Sequence, residues 1–156
     1  MESVYIETTI ISYLVSRPSR DILVAAHQQT TFEWWDVRRH EFECYISQVV
    51  IDEIAAGDSE AAKKRMKEIE DLPVLEVNKE AEVLTEAIIQ GGAIPQRAVR
   101  DAAHIAIATV NGIDYLLTWN CRHLANAQII RKVSLVCNAQ GYSMPVICTP
   151  EELMGV

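Results

Sequence analysis

The sequence predicts an α/β domain with three layers, α/β/α, around a mostly parallel sheet. Two observations carry that expectation. Short apolar runs of strand length alternate with longer amphipathic or charged runs of helical length along the whole chain. No linker, low-complexity segment or repeat interrupts the alternation, so residues 1–156 are expected to form one domain. Of the 156 residues, 49% are hydrophobic. A chain of that length buries roughly 68–70% of its unfolded surface, which supports a core without disulfides or metals.

The elements follow in order. Residues 3–7, SVYIE, read as a first strand, and Thr8 or Thr9 is expected to cap the helix IISYL. Pro18 opens a long segment, 18–41, whose apolar positions Ile22, Leu23, Ala26 and Val37 fit a helical stripe loosely. Residues 43–47, ECYIS, read as a second strand; a helix from Gln48 to Ala56 follows, with Gly57 just past its end. The charged run 59–71 is helical, with Ala62, Met66 and Ile69 on one face. Pro73 starts a third strand, PVLEV, and residues 79–90 form a helix stopped by Gly91-Gly92. Pro95 precedes a helix over 96–111, ended by Asn111-Gly112. Residues 114–118, DYLLT, read as a fourth strand, 122–138 as a helix and 145–148 as a short fifth strand. In the tail, TPEEL, Thr149, Pro150 and Glu152 spell a capping box.

Lysine plus arginine number 14 and aspartate plus glutamate 22, a net charge of −8. Such a chain is a poor candidate for tight, non-specific duplex binding, which needs many cationic phosphate contacts. Turnover of a nucleic acid through a local basic patch is compatible with it. The N-terminus, MESVYIETTI, has no basic n-region, and no apolar run approaches the roughly 20 residues of a membrane span. Cys44, Cys121, Cys137 and Cys148 lack CxxC spacing. Free thiols and a cytoplasmic location, away from membranes, are expected.

In a parallel α/β sheet, ligands sit beyond the carboxyl ends of the strands. Glu7 ends the first strand; alone, it is either a site carboxylate or a charge favourable to the next helix dipole. Glu53, in VVIDEIAAG, borders the apolar stripe of Val50, Ile51 and Ile54. Asp101 enters a helix that is apolar nearly all round, RDAAHIAIATV, and a charge there needs a partner. Arg97 or Arg100 can be that partner, and so can a cation. Thr118 ends the fourth strand and Asn120 follows it; Asn120 is either a site ligand or a turn residue. Clustered carboxylates without thiols or paired histidines suit hard cations such as Mg²⁺ or Mn²⁺.

With those residues in place, the sequence resembles the PIN-domain family of small ribonucleases, including VapC-type toxins. The matching pieces are YIETTIISYL, ISQVVIDEI, RDAAHIAIATVNGIDYLLTWNCRHL and ICTPEEL, which span nearly the whole chain. The resemblance implies a metal-dependent ribonuclease with Glu7, Glu53 and Asp101 as ligands of Mg²⁺ or Mn²⁺, and Asn120 in the fourth catalytic position. Thr8 and Thr118 match hydroxyl positions that orient the acids. The substrate implied is RNA, cut to leave a 5′-phosphate and a 3′-hydroxyl. A cognate antitoxin, as in a type II toxin-antitoxin pair, and a homodimer are implied as partners. Two departures stand out. Glu7 is one methylene longer than the family's Asp, and Asn120 is neutral where many members have Asp. Three ionised acids and one divalent cation leave a single negative charge, so a second metal is less well supported.

Arg17, Arg20, Arg97, Arg100 and Arg122 flank the acid-bearing segments and are candidates for gripping the RNA backbone; each reads equally as solvated surface. His104 is either a general acid or base or a satisfied core residue, with the second favoured. Cys121 and His123 lack two further ligands for zinc. Trp119 either stacks a base or packs on the sheet, and Trp34-Trp35 either form an interface or close the core. A competing expectation is a catalytically weak or inactive PIN-like domain that binds RNA or protein. A small-molecule phosphohydrolase would want an Asp nucleophile where Glu7 stands.

Overall fold

The computed structural model describes residues 1–156. Five strands form one fully parallel sheet: β1 (Ser3–Ile6), β2 (Glu43–Ser47), β3 (Val74–Leu75), β4 (Tyr115–Leu117) and β5 (Val146–Cys148), in the order β3-β2-β1-β4-β5. The expected α/β class is therefore observed. β1 lies at the centre, and Val4, Tyr5 and Ile6 are all fully buried, the continuous burial of a strand covered on both faces.

The chain winds from β1 to β3 in one direction and then crosses back to β4 and β5. Right-handed crossovers therefore put the two sets of helices on opposite faces. α1 (Thr8–Val15), α2 (Ile22–Glu33), α3 (Gln48–Ala55) and α4 (Ser59–Ile69) pack together in one layer. α5 (Lys79–Gln90), α6 (Val99–Val110) and α7 (Ala127–Ala139) pack in the other. The strand order reverses between β1 and β4, the switch point at which such sheets open a crevice.

Several boundaries differ from the sequence expectation, each for a local reason. Glu7, and neither threonine, caps α1: its carboxylate accepts the Thr9 N–H. Asp21 caps α2, so the helix starts at Ile22, well after Pro18. Beyond Glu33 the chain widens into a π-helical turn, Trp34–Arg38, then a 3-10 turn, Arg39–Glu41. That widening carries Trp34 and Trp35 into the core, and the Trp34 indole N–H donates to the Leu153 carbonyl at 3.1 Å. These tryptophans close the domain and offer no interface. Gly57 follows α3 with φ +88°, a conformation open to glycine at little cost. The segment expected as a helix over 122–138 begins only at Ala127, because the Asn126 side chain caps it by accepting from Gln128 and Ile129. Residues before it turn back, burying Leu124. The Thr149/Glu152 capping box forms as expected, on a 3-10 turn.

Candidate functional site

The site lies at the carboxyl ends of β1, β2 and β4, beside the switch point. Glu7 leaves the end of β1 and is 3% exposed. Its Oε1 accepts the Thr118 hydroxyl at 2.6 Å and the Thr9 hydroxyl at 2.5 Å, and its Oε2 accepts the Thr9 N–H at 3.2 Å. Burial pushes the Glu7 pKa above the ordinary glutamate value, although the His104 charge and the threonine hydrogen bonds oppose the shift. Glu7 is thus a buried acid with no cation directly bonded to it.

Glu53 comes from the second turn of α3 and is partly exposed. Its Oε1 accepts the Thr8 hydroxyl at 2.7 Å and lies 2.6 Å from His104 Nε2. Burial raises the Glu53 pKa, but the His104 hydrogen bond and charge, the Thr8 hydroxyl and the field of Arg100 outweigh it and lower the pKa overall. His104 is fully buried on α6. Burial pulls its pKa down, whereas the hydrogen bond to Glu53 and the charges of Glu7, Glu53 and Asp101 raise it, and the upward pull wins. One ligand atom from each of Glu7, Glu53 and His104 falls within 4.8 Å of the others.

Asp101 stands one turn before His104 on α6, close enough for its charge to act on that ring. Its partner is neither Arg97 nor Arg100, as the sequence had suggested. Asp101 Oδ2 instead lies 3.0 Å from His123 Nδ1. Asn120 builds the turn that delivers His123, its Oδ1 accepting the backbone N–H groups of Arg122 and His123, both at 3.1 Å. Arg97, Arg100, Asp101, Arg122 and His123 line one cleft of about 450 Å³. Arg17 and Arg20 are exposed in the connection between α1 and α2, outside this cleft. Trp119 is buried, stacked on His27 at 4.0 Å between ring centroids, and donates to the Thr31 hydroxyl at 2.7 Å. It packs on the protein, and a base cannot reach its face.

Three further residues shape the site. Thr9, second of the Thr8-Thr9 pair, holds Glu7 and also accepts the Trp119 N–H at 2.9 Å. His104 is the core residue the sequence favours, yet it also bonds the site's Glu53. Tyr5, a strand residue that no sequence motif marks for the site, has its hydroxyl 2.6 Å from His104 Nδ1.

No protein-family model matches the chain, and no curated protein matches it. Among solved structures it is similar to a chain of the crystal structure of VapBC2 from Rickettsia felis bound to a DNA fragment from their promoter. That match has a TM-score of 0.59 at 10% identity and covers 94% of this chain and 97% of that one. The likeness is one of fold. It runs the length of both chains, in keeping with the PIN-like α/β architecture expected from the sequence. No helix is long and apolar enough to cross a membrane.

Proposed function

We propose that residues 1–156 form a single-domain, Mg²⁺- or Mn²⁺-dependent ribonuclease, the toxin member of a type II toxin-antitoxin pair. The observation that carries this reading is the convergence of Glu7 and Glu53, with His104, within 4.8 Å at the strand ends. Asp101 and three arginines border the adjoining cleft.

The donor set suits a hard divalent cation. Glu53 Oε2 accepts no hydrogen bond within the protein, and Glu7 is a buried acid lacking a directly bonded counter-charge. Glu7, Glu53 and Asp101 would hold the ion, directly or through water. When bound, such an ion lowers the pKa of a water and stabilises charge on a phosphoryl oxygen.

The chain's own residues supply the rest. Arg97, Arg100 and Arg122 bind backbone phosphates, each as a cation on the cleft wall. Thr118 and Thr9 hold Glu7, and Thr8 holds Glu53. His123 holds Asp101, and Asn120 fixes the backbone that carries His123. Asn120 thus acts on Asp101 through the turn. Products with a 5′-phosphate and a 3′-hydroxyl belong to the same reading. So do a homodimer, a cognate antitoxin and a cytoplasmic location. The antitoxin draws support from the likeness to a chain of a VapBC2 structure.

The test is cleavage of a labelled RNA pool with Mn²⁺, with EDTA and Asp101→Asn as controls. Cutting that needs the metal and disappears in Asp101→Asn supports the reading. Absent cutting, or equal cutting by the variant, refutes it and favours an RNA- or protein-binding domain.

A further inference from the structure

We propose that His104 and Tyr5 are positioning residues for Glu53, and that His104 is not a metal ligand although it lies among the ligand atoms. The proposal rests on the metal-site reading above.

A buried chain of hydrogen bonds carries it. Ser47 Oγ, at the end of β2, lies 2.6 Å from the Tyr5 hydroxyl on β1. That hydroxyl lies 2.6 Å from His104 Nδ1 on α6, and His104 Nε2 lies 2.6 Å from Glu53 Oε1 on α3. Ser47, Tyr5 and His104 are each fully buried, so water does not substitute for any member. The Tyr5 and His104 rings also meet edge to face, with centroids 5.7 Å apart.

The direction of the last bond follows from chemistry. An ionised carboxylate only accepts, so His104 Nε2 must carry a proton and donate to Glu53. This holds for either charge on the ring. In the neutral ring, Tyr5 donates to Nδ1. In the protonated ring, Nδ1 donates to Tyr5, which then donates to Ser47. A hydroxyl serves both arrangements, so the ring stays where it is. A ligating histidine needs an unprotonated nitrogen facing the metal. Here both nitrogens are committed to partners within the protein, Nδ1 to the buried Tyr5 hydroxyl and Nε2 to Glu53.

The consequence falls on Glu53. The His104 N–H and the Thr8 hydroxyl both reach the same oxygen, Oε1. No hydrogen bond within the protein reaches Oε2, which is left as the oxygen open to a cation. Residues on β1, β2 and α6 thus set the orientation of a carboxylate on α3.

The experiment measures Mn²⁺ binding by electron paramagnetic resonance on the parent, Tyr5→Phe and His104→Gln, together with RNA cleavage kinetics. Tyr5→Phe deletes one oxygen and keeps the ring. It is expected to bind Mn²⁺ about 10-fold more weakly, as loss of a partner that orients a metal ligand usually does. Its kcat should fall while KM for RNA holds, and raising Mn²⁺ should restore kcat. A defect of folding alone would not be rescued in that way. Pulsed spectra of the Mn²⁺-loaded parent should contain no directly coordinated ¹⁴N belonging to His104. Unchanged Mn²⁺ affinity in Tyr5→Phe overturns the proposal. So does a ¹⁴N coupling that vanishes in His104→Gln. Where His104→Gln does not fold, Tyr5→Phe decides. A parent that binds no Mn²⁺ refutes the metal-site reading first, and the proposal with it, and that outcome is visible without any variant.

Discussion

Replacing Thr118 by valine removes one hydroxyl from the floor of the site and keeps the side chain's shape. Thr118 is fully buried. Its hydroxyl donates to Glu7 at 2.6 Å and accepts the Asn120 N–H at 2.9 Å. A hydrogen bond to a charged group contributes about 1.5–3 kcal/mol, and an amide left without its acceptor costs about 1 kcal/mol more. With Glu7 ionised, the loss should therefore be about 2–4 kcal/mol, or roughly 5–15 °C in Tm for a chain of this size. The loss must also depend on pH, in a direction the structure sets. Burial raises the folded pKa of Glu7 above 4.5. A carboxyl raised on folding gives stability that is fully present below its unfolded pKa and lost as pH rises through its folded pKa. Deleting a donor to the ionised form raises the folded pKa further and enlarges that loss. Near pH 4.5 the gap should shrink to about the 1 kcal/mol left by the unpaired Asn120 N–H, and it should widen towards pH 8 as Glu7 ionises. Urea unfolding across that interval, with m-values compared to exclude a change in the unfolded state, measures the gap. A gap that stays constant with pH would refute the claim that the Thr118 hydroxyl favours the ionised form of the buried Glu7.

Arg97→Ala, Arg100→Ala and Arg122→Ala should each weaken RNA binding and reduce the slope of log K against log salt by about 0.7, the value for one phosphate contact on a single strand. Arg17→Ala and Arg20→Ala, outside the cleft, should change that slope less. Mn²⁺ affinity should climb as pH rises above 4.5, because the raised Glu7 must lose its proton to bind. Calorimetry in two buffers of different ionisation enthalpy would detect the released proton, and a pH-independent affinity would contradict it. A thiol reagent should titrate one cysteine in the native protein, Cys121, and four after unfolding. Cys44 and Cys148 are buried, and burial pushes their thiols up to about 11 and about 12.

The sequence and the structure agree where a local pattern decides the outcome. Residues 43–47 and 79–90 form the expected strand and helix with the expected limits, because their alternation or stripe ends at clear stop signals. Agreement fails where a side chain competes for the backbone. Glu7 takes the cap expected of a threonine, and Asn126 delays α7 by accepting its first amides. The site divides in the same manner. Glu7 and Thr118 stand at strand ends, where the crevice rule placed them, whereas Glu53 and Asp101 stand on the helices α3 and α6, and Asp101 falls outside the close group of Glu7, Glu53 and His104. Their partners do not follow, since each arrives from a distant segment. Asp101 is bonded by His123 across 22 residues, and Glu53 by His104 across 51. Sequence proximity favoured Arg97 and Arg100 for Asp101, yet all three line one cleft and the carboxylate is bonded by His123. A clue to His104 was present in DAAHIAIA. An imidazole among residues that are otherwise alanine and isoleucine must find polar partners for both ring nitrogens or bear the cost of burying them. The elements packed on α6 offer the Tyr5 hydroxyl and the Glu53 carboxylate for that purpose, so a histidine satisfied in the core is also one that holds the site.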